Sequence, residues 1–345
     1  MARAAFSIGG EEVAPGERRL VDLPMSALAN RTPMALPVCV IHGRREGPTL
    51  FVSAAVHGDE LTGVAICRRL LASKALVLAR GTLLMVPIVN AFGFIGHSRY
   101  LPDRRDLNRS FPGSPRGSLA AQLAYIFLAE VVARSDYGID LHSAAIHRSN
   151  LPQIRVDSHR EPAYRLAQAF GAPIIVHSGH REGSLRKAAQ DRGVPVIVYE
   201  AGEGLRVDEL SVSVGMRGVL RVMAHLGMIA RRRGRRGPAP VLSTSSRWVR
   251  AEESGIFRPF KQIGDHVAAG ERIGVVADPY GERETDVKAS MAGIVIGRAN
   301  IPAVNQGDAL FHIANVENAS KLGEHYETLG RAAETERLLD EDEII

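Results

Sequence analysis

The stretch TLFVSAAVHGDE, residues 49–60, joins a run of apolar residues to a histidine and a carboxylate. Residues 49–56 are continuously apolar apart from small hydroxyl residues, which predicts a buried strand. The helical spacing of apolar residues in ELTGVAICRRLL, residues 60–71, predicts that a helix follows at once. His57 and Glu60 therefore lie at a strand-to-helix turn, where both side chains can reach one point. A hydrolytic zinc site takes three protein ligands and keeps one position open for water, and this pair would supply two of the three.

Beyond this stretch, segments typical of strands alternate with segments typical of helices. The strand-like segments are short and apolar, and they comprise residues 37–43, 49–56, 81–90, 137–143 and 194–202. The helical segments have apolar residues along one face, and they comprise residues 118–134, 161–171 and 209–228. Residues 37–43 and 49–56 are predicted to be neighbouring strands. The alternation predicts an α/β domain whose mixed, mostly parallel sheet is flanked by helices.

Residues 1–230 form this first predicted domain, and the composition changes after them. Residues 231–245 contain the Arg-, Gly- and Pro-rich run RRRGRRGPAP, which predicts a linker. Residues 246–315 consist of short strand-like segments broken by Gly and Pro, and their two halves resemble a biotinyl/lipoyl-type barrel-sandwich domain. The hairpin tip at residues 278–281 lacks the lysine of a carrier domain, which favours a structural role. Residues 316–345 are predicted to be a charged tail.

The bulk properties are those of an ordinary soluble protein of 345 residues with a net charge of +5. The sequence has no apolar run long enough to span a membrane, and its N-terminus lacks the apolar core of a secretory signal. Cys39 and Cys67 lie in apolar segments away from any CxxC pattern, so we expect buried, reduced thiols and a cytoplasmic location. The run RRRGRR at residues 231–236 has no interleaved aromatic residues. We therefore expect neither nucleic acid nor a membrane as partner, whereas a homo-oligomer stays open.

Four polar signals follow predicted strands at their carboxyl ends. They are HGDE with His57 and Glu60, DLNR with Asn108 and Arg109, DLHS with His142, and VYEAG with Glu200. Because ligands of open α/β sheets bind outside the carboxyl ends of the strands, we expect these residues to meet in one cleft. His57, Glu60 and His142 would complete a three-ligand zinc site. Glu200 would be one ligand too many and is better placed as the general base and acid, while Asp140 could hydrogen-bond to a ligand from the same strand face.

Each signal alone has a less specific explanation. A lone histidine after a strand is more often a surface or hydrogen-bonded residue than a metal ligand, and a carboxylate such as Glu200 often caps the next helix. Asn108 and Arg109 could stabilise a loop, and Arg105 and Asp106 could form an exposed salt bridge that contributes little. The occurrence of all four signals in this order favours the metal site.

The motifs HGDE, SRY followed by RDLNRSFPG, DLHS and YEAG, in that order, resemble the succinylglutamate desuccinylase and aspartoacylase family. That family shares the fold of the zinc carboxypeptidases, and the resemblance covers roughly residues 37–315. Within the family, the length and the β module are most similar to bacterial deacetylases of the N-acetyl-diaminobutyrate type. The resemblance implies a zinc-dependent amidohydrolase, with one zinc ion per chain, that removes the acyl group from a small N-acyl amino acid.

The resemblance also implies roles for individual residues. His57, Glu60 and His142 match the zinc ligands, Asn108 and Arg109 match the pair that binds the substrate carboxylate, and Glu200 matches the catalytic acid/base. Arg99 in SRY matches the arginine that polarises the scissile carbonyl. Compared with the short aspartoacylase-type spacing, two extra residues separate Arg99 from DLNR, so Arg105 is an alternative for this role.

Two other functions remain open from the sequence. A zinc carboxypeptidase acting on short peptides would use Arg109 to hold a chain-terminal carboxylate. A carrier or binding module without catalysis would bind no zinc. The acyl group, the amine and the pathway are not encoded in any recognisable motif.

Overall fold

The computed structural model describes residues 3–27, 29–74, 76–230, 239–316, 326 and 328–330. The helices are α1 (Thr62–Ala72), α2 (Ala91–Ile95), α3 (Leu119–Ile126), α4 (Glu161–Phe170), α5 (Leu185–Gln190) and α6 (Glu209–His225). A π turn at Phe127–Val131 and a 3-10 turn at Val132–Arg134 extend α3, and a further 3-10 turn spans Leu107–Arg109. The predicted run 231–236 and almost all of the predicted tail lie outside the described residues.

The strands number from β1 to β19 along the described chain. They are β1 (Phe6–Ile8), β2 (Glu11–Val13), β3 (Arg18–Ala27), β4 (Pro33–His42), β5 (Arg45–Ala54), β6 (Arg80–Val86), β7 (Tyr137–His142), β8 (Arg148–Val156), β9 (Ile174–His177), β10 (Val196–Gly202), β11 (Val241–Ser243), β12 (Ser246–Arg250), β13 (Gly255–Pro259), β14 (His266–Val267), β15 (Arg272–Ala277), β16 (Glu284–Lys288), β17 (Gly293–Ala299), β18 (Ala303–Val304) and β19 (Ala309–Ala314).

One large mixed sheet organises the molecule, with the strand order β12-β19-β17-β8-β10-β7-β5-β6-β4-β3 and with β9, β11 and β14 attached beside this path. Its centre, β6-β5-β7-β10, is parallel, as the sequence predicts. Towards β3, and where β10 meets β8, the pairing is antiparallel. The prediction that β4 and β5 are neighbours is wrong, because β6 lies between them.

Helices cover both faces of the sheet, because side chains alternate along β5. Leu50, Val52 and Ala54 point to one face, where they pack with apolar residues of α1, α4 and α6. Phe51 points to the other face and packs with α3 and with Phe127 of the π turn that extends it, whose ring meets that of Phe51 edge-on. The central strands are therefore buried on both sides and present only their ends to solvent, which leaves the carboxyl ends free to form a site.

The C-terminal β strands extend the large sheet. β17 pairs with the first part of β8, and β9 pairs with the last part of the same strand. β11, which falls within the predicted linker, pairs with β9. A separate four-stranded sheet, β16-β15-β13-β18, packs over β19 and β17 around Phe257 and Phe311. The division into domains and the barrel-sandwich assignment therefore stay predictions, although the strand content of residues 246–314 is as expected.

Among the described helices, none is both long and apolar enough to cross a membrane. Cys39 and Cys67 are both buried as free thiols.

Candidate active site

The HGDE turn is held in place by a close backbone approach. A β-carbon on Gly58 would lie 1.9 Å from the carbonyl carbon of Gly93 at α2, so only glycine fits there. Ala55 has a φ of 47°, a left-handed conformation that turns the chain out of β5. Asn90 and its neighbour donate their backbone N–H groups to the end of β5. These contacts place His57 and Glu60 at the carboxyl end of the strand, where both are buried.

Glu60 bridges the two histidines of the predicted zinc site. Its Oε1 lies 2.7 Å from Nδ1 of His57, and its Oε2 lies 2.7 Å from Nδ1 of His142. One ligand atom from each of the three residues falls within 4.8 Å of the others. His142 lies 82 residues after Glu60 in the sequence, and the fold brings the three buried side chains together.

The outer nitrogens of both imidazoles contact carboxylates. Nε2 of His57 lies 3.1 Å from Oδ1 of Asp106, and Nε2 of His142 lies 2.7 Å from Oδ2 of Asp140. Ser53 donates from Oγ to the other oxygen of Asp140 over 2.7 Å. Carboxylates in this position fix a ring through its outer nitrogen, so that the opposite nitrogen is the one that can bind a metal. Two inward Nδ1 atoms and one carboxylate are a donor set that suits zinc, so the residues present fit the predicted ion.

The electrostatics of the cluster agree with this donor set. Burial alone would raise the pKa of the Glu60 carboxyl, but His57 and His142 outweigh it and hold that pKa well below its usual range. Burial also opposes charge on His142, yet Asp140 and Glu60 raise its pKa well above the usual value. The cluster therefore favours a negative Glu60 and a positively charged imidazole at His142. A bound cation would supply that positive charge in place of the ring protons.

Arg99 reaches the cluster, and Arg105 does not. Nε and Nη2 of Arg99 donate to Oδ2 of Asp106 over 3.2 and 3.0 Å, and its Nη1 lies 3.6 Å from Oε1 of Glu60. The side chain of Arg105 is 64% exposed, and its nearest carboxylate partner is Asp103, at 3.9 Å. The predicted salt bridge between Arg105 and Asp106 is therefore wrong, because the carboxylate of Asp106 contacts Arg99 and His57 instead.

Asn108 and Arg109 lie on the 3-10 turn directly after Asp106. The backbone N–H of Asn108 donates to Oδ1 of Asp106 over 2.8 Å, which ties this turn to the cluster. Oδ1 of Asn108 accepts from the backbone N–H of Leu185 at the start of α5, over 2.9 Å. The side chain of Arg109 is exposed beside this turn, with a hydrogen bond to the carbonyl of Asn108. Its charge interacts with those of Asp106 and Arg99, so the turn places a guanidinium group on the Asp106 side of the cluster.

Glu200 lies beside His142, because β10 and β7 are parallel and pair these two residues in register. Nδ2 of Asn150 donates to Oε2 of Glu200 over 3.0 Å, and Nε of Arg155 lies 3.6 Å from Oε1. Both contacts come from β8, the antiparallel neighbour of β10. The carboxylate is therefore held from the side opposite to the histidine.

The sequence gives no role to Asn150, Arg155 or Arg186. Arg186 on α5 donates from Nη2 to Oγ of Ser178 and to the carbonyl of Gly179, and its buried Nη1 has no hydrogen-bond partner. Burial, with the charge of Arg155 next, lowers the pKa of Arg186 to about 10. The contacts of Asn150 and Arg155 with Glu200 depend on the pairing of β8 with β10, and none of the three residues lies in a motif that could have revealed its position.

Comparisons with known proteins identify the family of this chain. The succinylglutamate desuccinylase/aspartoacylase catalytic domain matches residues 46–226. The chain belongs to the succinylglutamate desuccinylase/aspartoacylase family. The resemblance stated from the four motifs is confirmed.

Individual members of the family show how close the likeness is. The chain is 28% identical over 300 residues to the N-alpha-acetyl-L-2,4-diaminobutyric acid deacetylase of Halomonas elongata, which covers 81% of this chain and 86% of that one. The crystal structure of a succinylglutamate desuccinylase/aspartoacylase from Rhodobacter sphaeroides has a TM-score of 0.78 and 26% identity, covering 87% of this chain and 96% of that one. The product-bound structure of the ectoine utilization protein EutE (DoeB) from Ruegeria pomeroyi has a TM-score of 0.78 and 25% identity, covering 86% and 94%. The mixed α/β fold of the family is thereby confirmed. The relative from Halomonas elongata is a deacetylase.

Proposed function

We propose that this protein is a zinc-dependent deacylase that cleaves the amide bond of a small N-acyl amino acid. The observation that carries the proposal is the buried His57–Glu60–His142 set with Glu200 in register beside it on the next strand. Hydrolytic zinc sites combine three protein ligands with an acid/base residue in this way. The deacetylase from Halomonas elongata supports the choice of an amide bond.

One zinc ion per chain, held by His57, Glu60 and His142, would act as a Lewis acid towards the acyl oxygen and the attacking water. Asp106 and Asp140 would hold the two imidazoles in the required orientation. Zinc is favoured over magnesium or calcium, since those ions prefer all-oxygen ligand sets.

Glu200 would move the proton during hydrolysis. It takes a proton from water as the water oxygen bonds to the acyl carbon, and it then gives that proton to the amide nitrogen as the C–N bond breaks. The products are a carboxylic acid and a free amine, so atoms and charges balance. Asn150 and Arg155 hold the carboxylate in place throughout.

Three further side chains would bind and orient the substrate. Arg99 stays charged, because Asp106 and Glu60 raise its pKa against the effect of burial. Its guanidinium would polarise the scissile carbonyl and stabilise the negative charge that develops on oxygen. Arg109 would anchor the amino acid carboxylate, since a guanidinium can bind a carboxylate through two hydrogen bonds. Asn108 would hold α5 against this turn and direct its remaining amide donor to the same carboxylate.

The neighbouring β strands support a small substrate over a peptide. Asn300, which follows β17, donates to Oε2 of Glu203 over 2.8 Å, only three residues beyond Glu200. The predicted β module therefore borders the site, where it would exclude long chains from the cleft. We keep residues 1–230 as the proposed hydrolase domain and residues 246–315 as the module that closes it.

A substrate panel tests this proposal. Zinc-loaded protein should release free amine from at least one member of a panel of N-acetyl, N-succinyl and N-formyl amino acids. It should leave dipeptides and tripeptides with free amino termini intact. Release of C-terminal residues from those peptides, with no turnover of any N-acyl amino acid, would instead support the carboxypeptidase function.

A further inference from the structure

Two guanidinium groups border the candidate site without a full set of partners. Arg155 on β8 lies 3.6 Å from Glu200, but its buried Nε has no hydrogen-bond partner among the described residues. Arg186 on α5 donates from Nη2 only to uncharged acceptors, Oγ of Ser178 and the carbonyl oxygen of Gly179, and no described group accepts from its buried Nη1. The immediate partners of the two groups thus supply one negative charge, that of Glu200, for two positive charges.

The two groups act on each other and on the same carboxylate. Arg155 comes from β8, which pairs with β10, and Arg186 comes from α5, whose apolar face packs on β10. Burial, and next the positive charge of Arg155, lowers the pKa of Arg186, while Glu200 acts in the opposite direction. Like charges in a buried place are unfavourable, and an anion between them would stabilise both.

The side chain of a bound substrate leaves the proposed pose between Glu200 and Arg109. In that pose Glu200 protonates the amide nitrogen and Arg109 holds the carboxylate of the amino acid, so the carbon that carries the side chain lies between them. Arg186 directly follows the residue whose backbone N–H binds Asn108, the neighbour of Arg109. Arg155 contacts Glu200 at the other end. The two guanidinium groups therefore border the part of the cleft that the side chain enters.

We propose that Arg155 and Arg186 determine the specificity of this enzyme, selecting N-acyl amino acids with a carboxylate in the side chain and rejecting those with a cationic side chain. This inference rests on the proposed deacylase function. Arg155, whose side chain is 30% exposed, would donate to the side-chain carboxylate from its terminal nitrogens, and Arg186 would add positive potential. Both would repel an ammonium group. The chain would thereby differ from the Halomonas elongata deacetylase, which is named for a diaminobutyric acid derivative.

The ratios of kcat/KM for three substrates with one acyl group test this selection. The substrates are acylated L-glutamate, its uncharged isostere L-glutamine and L-2,4-diaminobutyrate, each with the acyl group of the best member of the substrate panel. Because a hydrogen bond between charged groups is much stronger than one to a neutral amide, wild type should use the glutamate substrate roughly 10- to 100-fold better than the glutamine substrate. The diaminobutyrate substrate should be the poorest of the three.

Variants of the two arginines should change this ratio. Arg155→Gln and Arg186→Gln should each lower the glutamate-to-glutamine ratio by about 10-fold, whereas Arg155→Lys and Arg186→Lys keep the charge and should keep more of it. A ratio cancels any loss of kcat that all substrates share, which matters because Arg155 also contacts the base. Arg165→Gln is the matched control, since it removes an exposed arginine of α4 that pairs with Glu161, and it should keep the wild-type ratio.

The outcomes separate this selection from the deacylase function. Equal use of the glutamate and glutamine substrates by wild type, or a preference for the diaminobutyrate substrate, would overturn the selection alone, as would an unchanged ratio in both Gln variants. A preference for N-succinyl-L-alanine over N-acetyl-L-alanine, without one for glutamate over glutamine, would move the anionic group to the acyl half and also overturn it. Absence of turnover of every N-acyl amino acid would contradict the deacylase function and this inference with it.

Discussion

Asn150 donates a hydrogen bond from Nδ2 to Oε2 of Glu200 over 3.0 Å, from a strand that is supported by the C-terminal β module. Gly297 on β17 faces Asn150 across the strand pair, and a β-carbon on Gly297 would lie 2.9 Å from Oδ1 of Asn150. The module therefore reaches the proposed base through one intermediate side chain. Through this contact the β strands after residue 245 would take part in the proposed catalysis, which neither their composition nor their spacing predicts.

Asn150→Ala should lower kcat with little change in KM, because Glu200 loses the donor that orients its carboxylate but the substrate contacts remain. A hydrogen bond to a charged group contributes about 1.5 to 3 kcal/mol, so a loss of roughly 10- to 100-fold is expected. Steady-state kinetics on the best N-acyl amino acid measures both constants. Asn300→Ala is the matched control and should leave kcat near wild type.

Gly297→Ala should move kcat in the same direction as Asn150→Ala by displacing the amide of Asn150. Because the methyl group perturbs the contact rather than removing it, the loss should be smaller than that of Asn150→Ala. An unchanged kcat in both variants would show that Glu200 is oriented without β8, and that the module has no part in catalysis.

Arg99→Ala should lose activity where Arg105→Ala does not. Removing Arg99 takes a positive charge from beside Glu60 and Asp106, and loss of one donor to a developing oxyanion typically costs about 10²- to 10³-fold in kcat. Arg105 is exposed and lies away from the cluster, so its removal should change kcat by less than about twofold. Equal losses in the two variants, or a larger loss for Arg105→Ala, would contradict the placement of Arg99 at the carbonyl.

Asp140→Asn should weaken zinc binding while the fold is kept. The amide can still occupy the space of the carboxylate beside His142 and Ser53, but it no longer raises the basicity of the ring. Loss of such an outer partner typically lowers metal affinity about 10- to 100-fold. Competition against a chromogenic chelator measures this affinity, and Asp22→Asn on β3 serves as the control. A loss of zinc affinity of comparable size in Asp22→Asn would show a general effect of lost charge and would contradict the role of Asp140.

His312 should make the fold sensitive to acid. Burial lowers the pKa of His312 to about 3, and only 5% of the residue is exposed. The unfolded chain binds a proton near the ordinary histidine pKa of about 6.5, so the stability is fully present above that pH and falls as pH drops from about 6.5 towards 3.

Replacing this residue removes that dependence. Between about pH 7.5 and about pH 5.5, the free energy of unfolding should fall by about 1.4 kcal/mol less in His312→Gln than in wild type. Urea unfolding at the two pH values measures the difference, with the exposed His266→Gln as the control. If the free energy of unfolding fell equally in wild type and in His312→Gln, the pKa of His312 would be the same in the folded and unfolded states, and the prediction would be wrong.

The residues of the candidate site differ in how far the sequence reveals them. His57, Glu60, His142 and Glu200 follow apolar runs, and the rule that ligands bind at carboxyl ends of strands is enough to bring them together. The position of Arg99 depends on how the loop of residues 96–106 folds back onto His57, which spacing alone leaves open between Arg99 and Arg105.

The pairing around β8 could not be predicted in the same way. RSNLPQIRV, residues 148–156, has no strict alternation, and it lies antiparallel in a region where the alternating pattern predicts parallel strands. The contacts of Asn150 and Arg155 with Glu200 follow from that register, as does the attachment of β17. The register between segments about 150 residues apart is set by packing in the folded state. A pattern of residue types along the chain therefore cannot predict it.

The measurement that tests the account most directly is kcat for wild type and Glu200→Gln at equal zinc content. Gln keeps the shape of the side chain but cannot accept a proton, so the account predicts that zinc-loaded Glu200→Gln binds the substrate with similar KM and turns it over about 10²- to 10⁴-fold more slowly. Metal-free wild type should be inactive and should recover with one equivalent of Zn²⁺. Near-normal kcat in Glu200→Gln, or full turnover by the metal-free protein, would contradict a zinc-dependent deacylase that uses Glu200 as its base.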